Sequence, residues 1–118
     1  MSEIFPWDVV LVPFPFTDLT QSKLRPAVVI SRQEIHRKED DYTLLFISSV
    51  IPDSVETHEV LLTKNHPEFS ATGLKKDSLF KTNKIATVRK ILLKKRLGKL
   101  GSQIQKSLQE AFHKAVVF

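Results

Sequence analysis

Asp8-Val9-Val10-Leu11-Val12-Pro13-Phe14-Pro15-Phe16 is the stretch that decides the fold class. A β-branched, apolar run of this kind reads as a strand. Pro13 and Pro15 end it, because proline brings no N–H to a sheet ladder. Similar runs recur outward from it, at Ala27-Val28-Val29-Ile30-Ser31 and Tyr42-Thr43-Leu44-Leu45-Phe46-Ile47-Ser48. His58-Glu59-Val60-Leu61-Leu62 alternates weakly and adds a fourth strand. Ser78-Leu79-Phe80, Ile85-Ala86-Thr87-Val88 and Leu97-Gly98-Lys99-Leu100 are shorter extended pieces. Residues 17–24, 32–41 and 65–73 are polar or charged and read as loops, and 89–96 has room for one helical turn.

The chain ends in a helix. Ser102 after Gly101 is a good N-cap, and Ile104, Leu108, Ala111, Phe112, Ala115 and Val116 fall on one helical face. Many short strands followed by one helix predict a mostly β fold, a small barrel or rolled sheet with a packed helix. No internal repeat is visible, and the 118 residues are expected to form a single domain, 1–118.

Composition narrows the function. The chain has no cysteine, which excludes disulfides, thiolate metal sites and cysteine nucleophiles and permits a reducing cytoplasm. The first residues lack the basic and apolar regions of a signal peptide, and no apolar run is long enough to span a bilayer. The net charge is +5, but residues 75–99 hold ten basic residues and one acid, Asp77. That window is +9 and the remainder is −4. Such asymmetry points to a polyanion, with a merely solvated lysine face as the rival reading. His36, His58, His66 and His113 show no paired ligand spacing, so no metal site is expected. Glycine-rich phosphate loops and nucleophile elbows are absent.

The remaining signal lies in Val9-Val10-Leu11-Val12-Pro13-Phe14-Pro15-Phe16-Thr17-Asp18 followed by Lys23-Leu24-Arg25-Pro26-Ala27-Val28-Val29-Ile30-Ser31. This pair of blocks resembles the MazF/PemK family of toxin endoribonucleases, in which a Pro/Phe-rich loop follows the first strand and Arg-Pro opens the second. The resemblance continues at Ile47-Ser48-Ser49, where the family usually has a hydroxyl pair. It appears again at Asp77-Ser78-Leu79-Phe80-Lys81-Thr82-Asn83-Lys84-Ile85-Ala86-Thr87-Val88, which looks like the family's Asp-Ser-Val…Ile-Arg-Thr segment. Two positions depart from the pattern. Trp7 stands where the family commonly has glycine before Asp, and Ala86 stands at its arginine, so Lys84 or Arg89 would have to substitute.

The resemblance implies an SH3-like small barrel of the MazF/CcdB-like plasmid-maintenance toxin fold, with a C-terminal helix. It implies cleavage of single-stranded RNA without metal or cofactor, a cyclic phosphate product, a homodimer, a cognate antitoxin and a cytoplasmic location without membrane contact. It places the catalytic arginine at Arg25 and the catalytic hydroxyl at Ser48. The residue types suit that chemistry: a guanidinium binds two phosphate oxygens at once, and a hydroxyl donates to the same group. Arg25 as a surface ion-pair residue and Ser48 as a strand-end cap are the structural alternatives. RNA contact is expected from Phe14, Phe16, Lys23, Ser49, Asp77, Ser78 and Lys84. Against this, the phenylalanines can pack the barrel end, Asp77 can cap its own turn and the lysines can be solvated. His58 is a separate candidate acid or base, with a structural role as its alternative. Two rival functions stand beside the enzyme. One is a non-catalytic toxin of the same fold that binds DNA gyrase, which the apolar ending Ala115-Val116-Val117-Phe118 disfavours. The other is a degenerate RNA-binding module.

Overall fold

The computed structural model describes residues 3–13 and 23–117. Six strands form one antiparallel sheet: β1 (Asp8–Pro13), β2 (Leu24–Val29), β3 (Asp41–Ser48), β4 (Glu59–Leu62), β5 (Ser78–Arg89) and β6 (Lys95–Lys99). Their order is β4-β5-β3-β2-β1-β6, a curled half-barrel with β4 and β6 at its edges. The helix α2 (Ser102–Ala115) closes the fold.

The apolar runs hardly alternate because both faces of the central strands are covered. Val10, Val12, Ala27, Val29, Leu44 and Phe46 pack inside the curl. Their neighbours Val9, Val28, Leu45 and Ile47 point the other way and meet Ile104 and Leu108 of α2. Each fully buried Phe or Leu contributes roughly 1.5–3 kcal/mol by leaving water. The two edges are blunted: β4 is only 4 residues long, and β6 carries Lys95, Arg96 and Lys99.

Three expectations change. Residues 32–41 are not all loop, since Gln33–Lys38 form a short helix, α1. The two pieces 78–80 and 85–88 belong to one strand, β5, interrupted by a shift of register. Ser102 is the first helical residue rather than the cap. The cap comes from a distant loop: Glu68 accepts the backbone N–H of Gln103 at 3.1 Å and of Ile104 at 3.0 Å. A carboxylate there also complements the helix dipole. A Cβ at position 101 would lie 2.4 Å from the Glu68 carboxyl carbon, so any larger residue than Gly101 displaces the capping side chain.

Trp7 has φ 71°, in the left-handed region that favours glycine. Glycine, which the family that the chain resembles commonly has here, would adopt this turn freely; in this chain the turn is held by other means. Trp7 donates its N–H to the Val29 carbonyl at 2.7 Å and accepts from Leu100 at 3.0 Å. Its ring packs with the cluster beneath α2. Asp8 next to it is buried, accepts from the Phe5 N–H at 2.8 Å and pairs with Arg96 at 3.2 Å.

Candidate functional site

At one end of the sheet, the second and third strands bring together residues far apart in sequence. Ala27 of β2 faces Phe46 of β3, and the same register carried two residues further sets Arg25 opposite Ser48. Side chains alternate along a strand, so Arg25 and Ser48 share the inner face with Ala27 and Phe46. Both line one cleft of about 210 Å³, with Phe46, Ile47, Lys81 and Lys84 as the other walls.

The lysines reach the cleft through the irregularity in β5. Leu45 pairs with Ile85, but Ile47 pairs with Phe80, so residues 81–84 lie opposite the single Phe46. This excess of chain breaks the two-residue alternation. In a regular strand, Lys81 and Lys84 would point to opposite faces. Here both line the cleft. Lys81 is tethered by Glu59 across the β4–β5 pair, Nζ to Oε2 3.5 Å. Lys84 is exposed and in no ion pair among the described residues. Ser48 is half-buried, and its Oγ accepts the Val50 N–H at 3.1 Å. That bond leaves the hydroxyl proton available to donate.

The other sequence candidates divide. Ser49 and Ser78 line a neighbouring hollow rather than this cleft. Ser78 is buried and donates to the Lys76 carbonyl at 2.8 Å, so its hydroxyl holds its own loop. Asp77 accepts the Lys64 N–H at 2.8 Å, a loop-pinning role. Lys23 is exposed, one residue before β2. Phe14 and Phe16 lie outside the described residues. His58 does not line the cleft, and its backbone carbonyl accepts the Thr82 hydroxyl. Ala86 packs against the inner core, so of the two basic neighbours it is Lys84, not Arg89, that stands in the cleft.

Lys81 was missed from the sequence. It is one cation among ten in a basic stretch, and only the β5 irregularity distinguishes it. Among the described residues no cluster of three His, Asp or Glu groups could hold a metal ion, and no helix is long and apolar enough to cross a membrane. In chemical terms, the cleft offers three cations and one hydroxyl donor around a partly apolar floor. It suits a phosphate better than a neutral ligand.

Solved structures share the fold at low sequence identity. An endoribonuclease in complex with its cognate antitoxin, from a mycobacterial species, aligns with TM-score 0.73 and 14% identity over 96% of this chain and 94% of that one. The Mycobacterium tuberculosis toxin MazF-mt6 gives 0.71 and 18%, over 92% and 94%. MazF from Deinococcus radiodurans gives 0.71 and 13%, over 97% and 96%. No curated protein matches the sequence. A family model matches residues 6–116, nearly the whole described chain, and the chain accordingly belongs to the PemK-like, MazF-like toxins of type II toxin-antitoxin systems.

Proposed function

We propose that this chain is an endoribonuclease that cuts single-stranded RNA, sequence-selectively and without a metal, and acts as the toxin of a toxin-antitoxin pair. The observation that carries the reading is the meeting of Arg25 and Ser48 on one cleft, with two lysines beside them. The RNA supplies its own nucleophile. Its 2′-oxygen bonds to the adjacent phosphorus and the bond to the 5′-oxygen breaks, leaving a 2′,3′-cyclic phosphate and a 5′-hydroxyl. The 2′ proton passes to solvent, and the departing oxygen takes one from solvent. Charge grows on the non-bridging oxygens as phosphorus becomes five-coordinate. Arg25 meets that charge with two N–H donors, and Ser48 adds its O–H. Lys84 draws the strand in, while Lys81 is partly committed to Glu59.

A cognate antitoxin, a homodimeric state and a cytoplasmic site of action belong to the same proposal. Their support is the family and the mycobacterial relative, which was solved with its cognate antitoxin. The test is incubation of purified protein with long single-stranded RNA in EDTA, beside an Arg25→Ala variant. The parent is expected to cut and the variant to lose on the order of 10²–10³ in rate. Equal binding by both proteins with no cutting by the parent would instead assign a non-catalytic RNA-binding module.

A further inference from the structure

A second hollow of about 310 Å³ lies at the same end of the sheet, on the outer face. Pro26 and Ser49 line it, each the chain neighbour of a residue of the cleft, Arg25 and Ser48. The two depressions are therefore back to back across the end of the β2–β3 pair. Leu11, Leu74 and Leu97 form an apolar bed, and Lys75, Lys76 and Lys95 stand around it. Its size is at the low end of the ~300–1,000 Å³ typical of small-ligand sites.

The lysines come from two separate segments, the lead into β5 and the edge strand β6, and the fold pins them together. Gly73 has φ 74°, and a Cβ there would sit 2.1 Å from the Leu97 carbonyl oxygen, so glycine lets the loop lie directly on β6. At its other end the loop is tied by the Asp77–Lys64 and Ser78–Lys76 hydrogen bonds. The nearest carboxylate in sequence, Asp77, is thus engaged elsewhere. None of the three lysines is in an ion pair among the described residues.

We propose that this hollow seats a nucleotide of the same single-stranded RNA several positions beyond the one whose phosphate is cut, where the strand has passed round the end of the sheet. The base would rest on the leucine and proline surface, with flanking phosphates on the lysines. The occupant follows from charge complementarity and from continuity with the Arg25–Ser48 cleft. The inference rests on the RNA-cutting reading, and its test is kept separate from cutting.

The probe is a fluorescent 2′-O-methyl RNA, which lacks the free 2′-hydroxyl and cannot be cleaved, in lengths of about 4 and 12 nucleotides. Binding is followed by anisotropy across a salt series. The triple variant K75A/K76A/K95A removes exposed side chains only and is compared with K38A/K106A/K114A, equal in charge but away from the hollow. For the long strand, the first variant is expected to lose roughly tenfold in affinity, and its log K against log salt slope to flatten by about 2, near 0.7 per phosphate contact. The short strand, held by the cleft, and the control variant are expected to change little. Parent-like binding of the long strand by the first triple variant overturns the proposal. So does an equal loss in the control, which reduces the effect to net charge, or an equal loss for the short strand. A length-dependent loss in a protein that fails to cut ordinary RNA would keep the hollow and discard the ribonuclease. Cutting with no length-dependent loss would do the reverse.

Discussion

The resemblance places a family threonine at Ser48, and both residues carry the hydroxyl proposed to meet the phosphate. Ser48→Thr is therefore expected to keep RNA cleavage, while Ser48→Ala loses on the order of 10²-fold in rate. Affinity for an uncleavable strand should change far less, which a paired rate and anisotropy measurement reads directly. His36 offers a second prediction at this scale. The Gln33 amide donates to Glu3 at 2.6 Å, which turns its oxygen toward His36 Nδ1, 3.2 Å away. Nδ1 then carries the proton, and Nε2 accepts from the Ser31 hydroxyl, 2.5 Å away. The Ser31 oxygen itself accepts the Thr43 N–H at 3.0 Å, and the imidazole stacks on Tyr42 with ring centroids 4.0 Å apart. Burial in this setting lowers the His36 pKa below its ordinary 6.5. The unfolded chain then binds the proton more readily than the folded one, so stability falls as pH drops through about 6.5 toward the lowered value. Thermal unfolding between pH 8 and 5 should show that decline, and His36→Gln should flatten it.

At the scale of elements, the start of α2 depends on a side chain that lies more than thirty residues earlier. Glu68 spans the first free N–H groups of the helix with both carboxylate oxygens. Glu68→Ala is expected to cost roughly 1–2 kcal/mol, the usual range for a lost N-terminal cap. Ser102→Ala should be nearly neutral, because the Ser102 hydroxyl makes no capping bond. Denaturant titrations of the two variants would separate these expectations, and equal losses would return the cap to Ser102. The β5 irregularity shapes the cleft as Glu68 shapes the start of α2. It turns two lysines toward one cleft that a regular strand would separate.

Over the whole molecule, the +9 of residues 75–99 does not form one patch. Lys81 and Lys84 stand at the inner cleft, and Lys75, Lys76 and Lys95 at the outer hollow. Arg96 is spent on Asp8. Binding of single-stranded RNA should accordingly weaken with salt, with a slope of about −2 to −4 if three to six phosphates are met at near 0.7 each. A slope near zero, read from anisotropy at 50–300 mM salt, would deny the backbone contacts that both depressions are assigned.

The sequence by itself determined the strands, the C-terminal helix, the basic segment and the family resemblance. These follow from local pattern: β-branched runs, proline stops and the 3.6-residue spacing from Ile104 to Ala115. Arg25 and Ser48 were also legible, as positions matched to family motifs and assigned by the resemblance to one phosphate, though no local pattern set one beside the other. Tertiary structure decided what meets what. The facing of Arg25 and Ser48 comes from strand register, and the shared orientation of Lys81 and Lys84 comes from a break in it. The capping of α2 by Glu68 and the left-handed turn at Trp7 come from contacts made across the fold. Register and long-range contact depend on which segments lie beside each other, and no local stretch of residues carries that information.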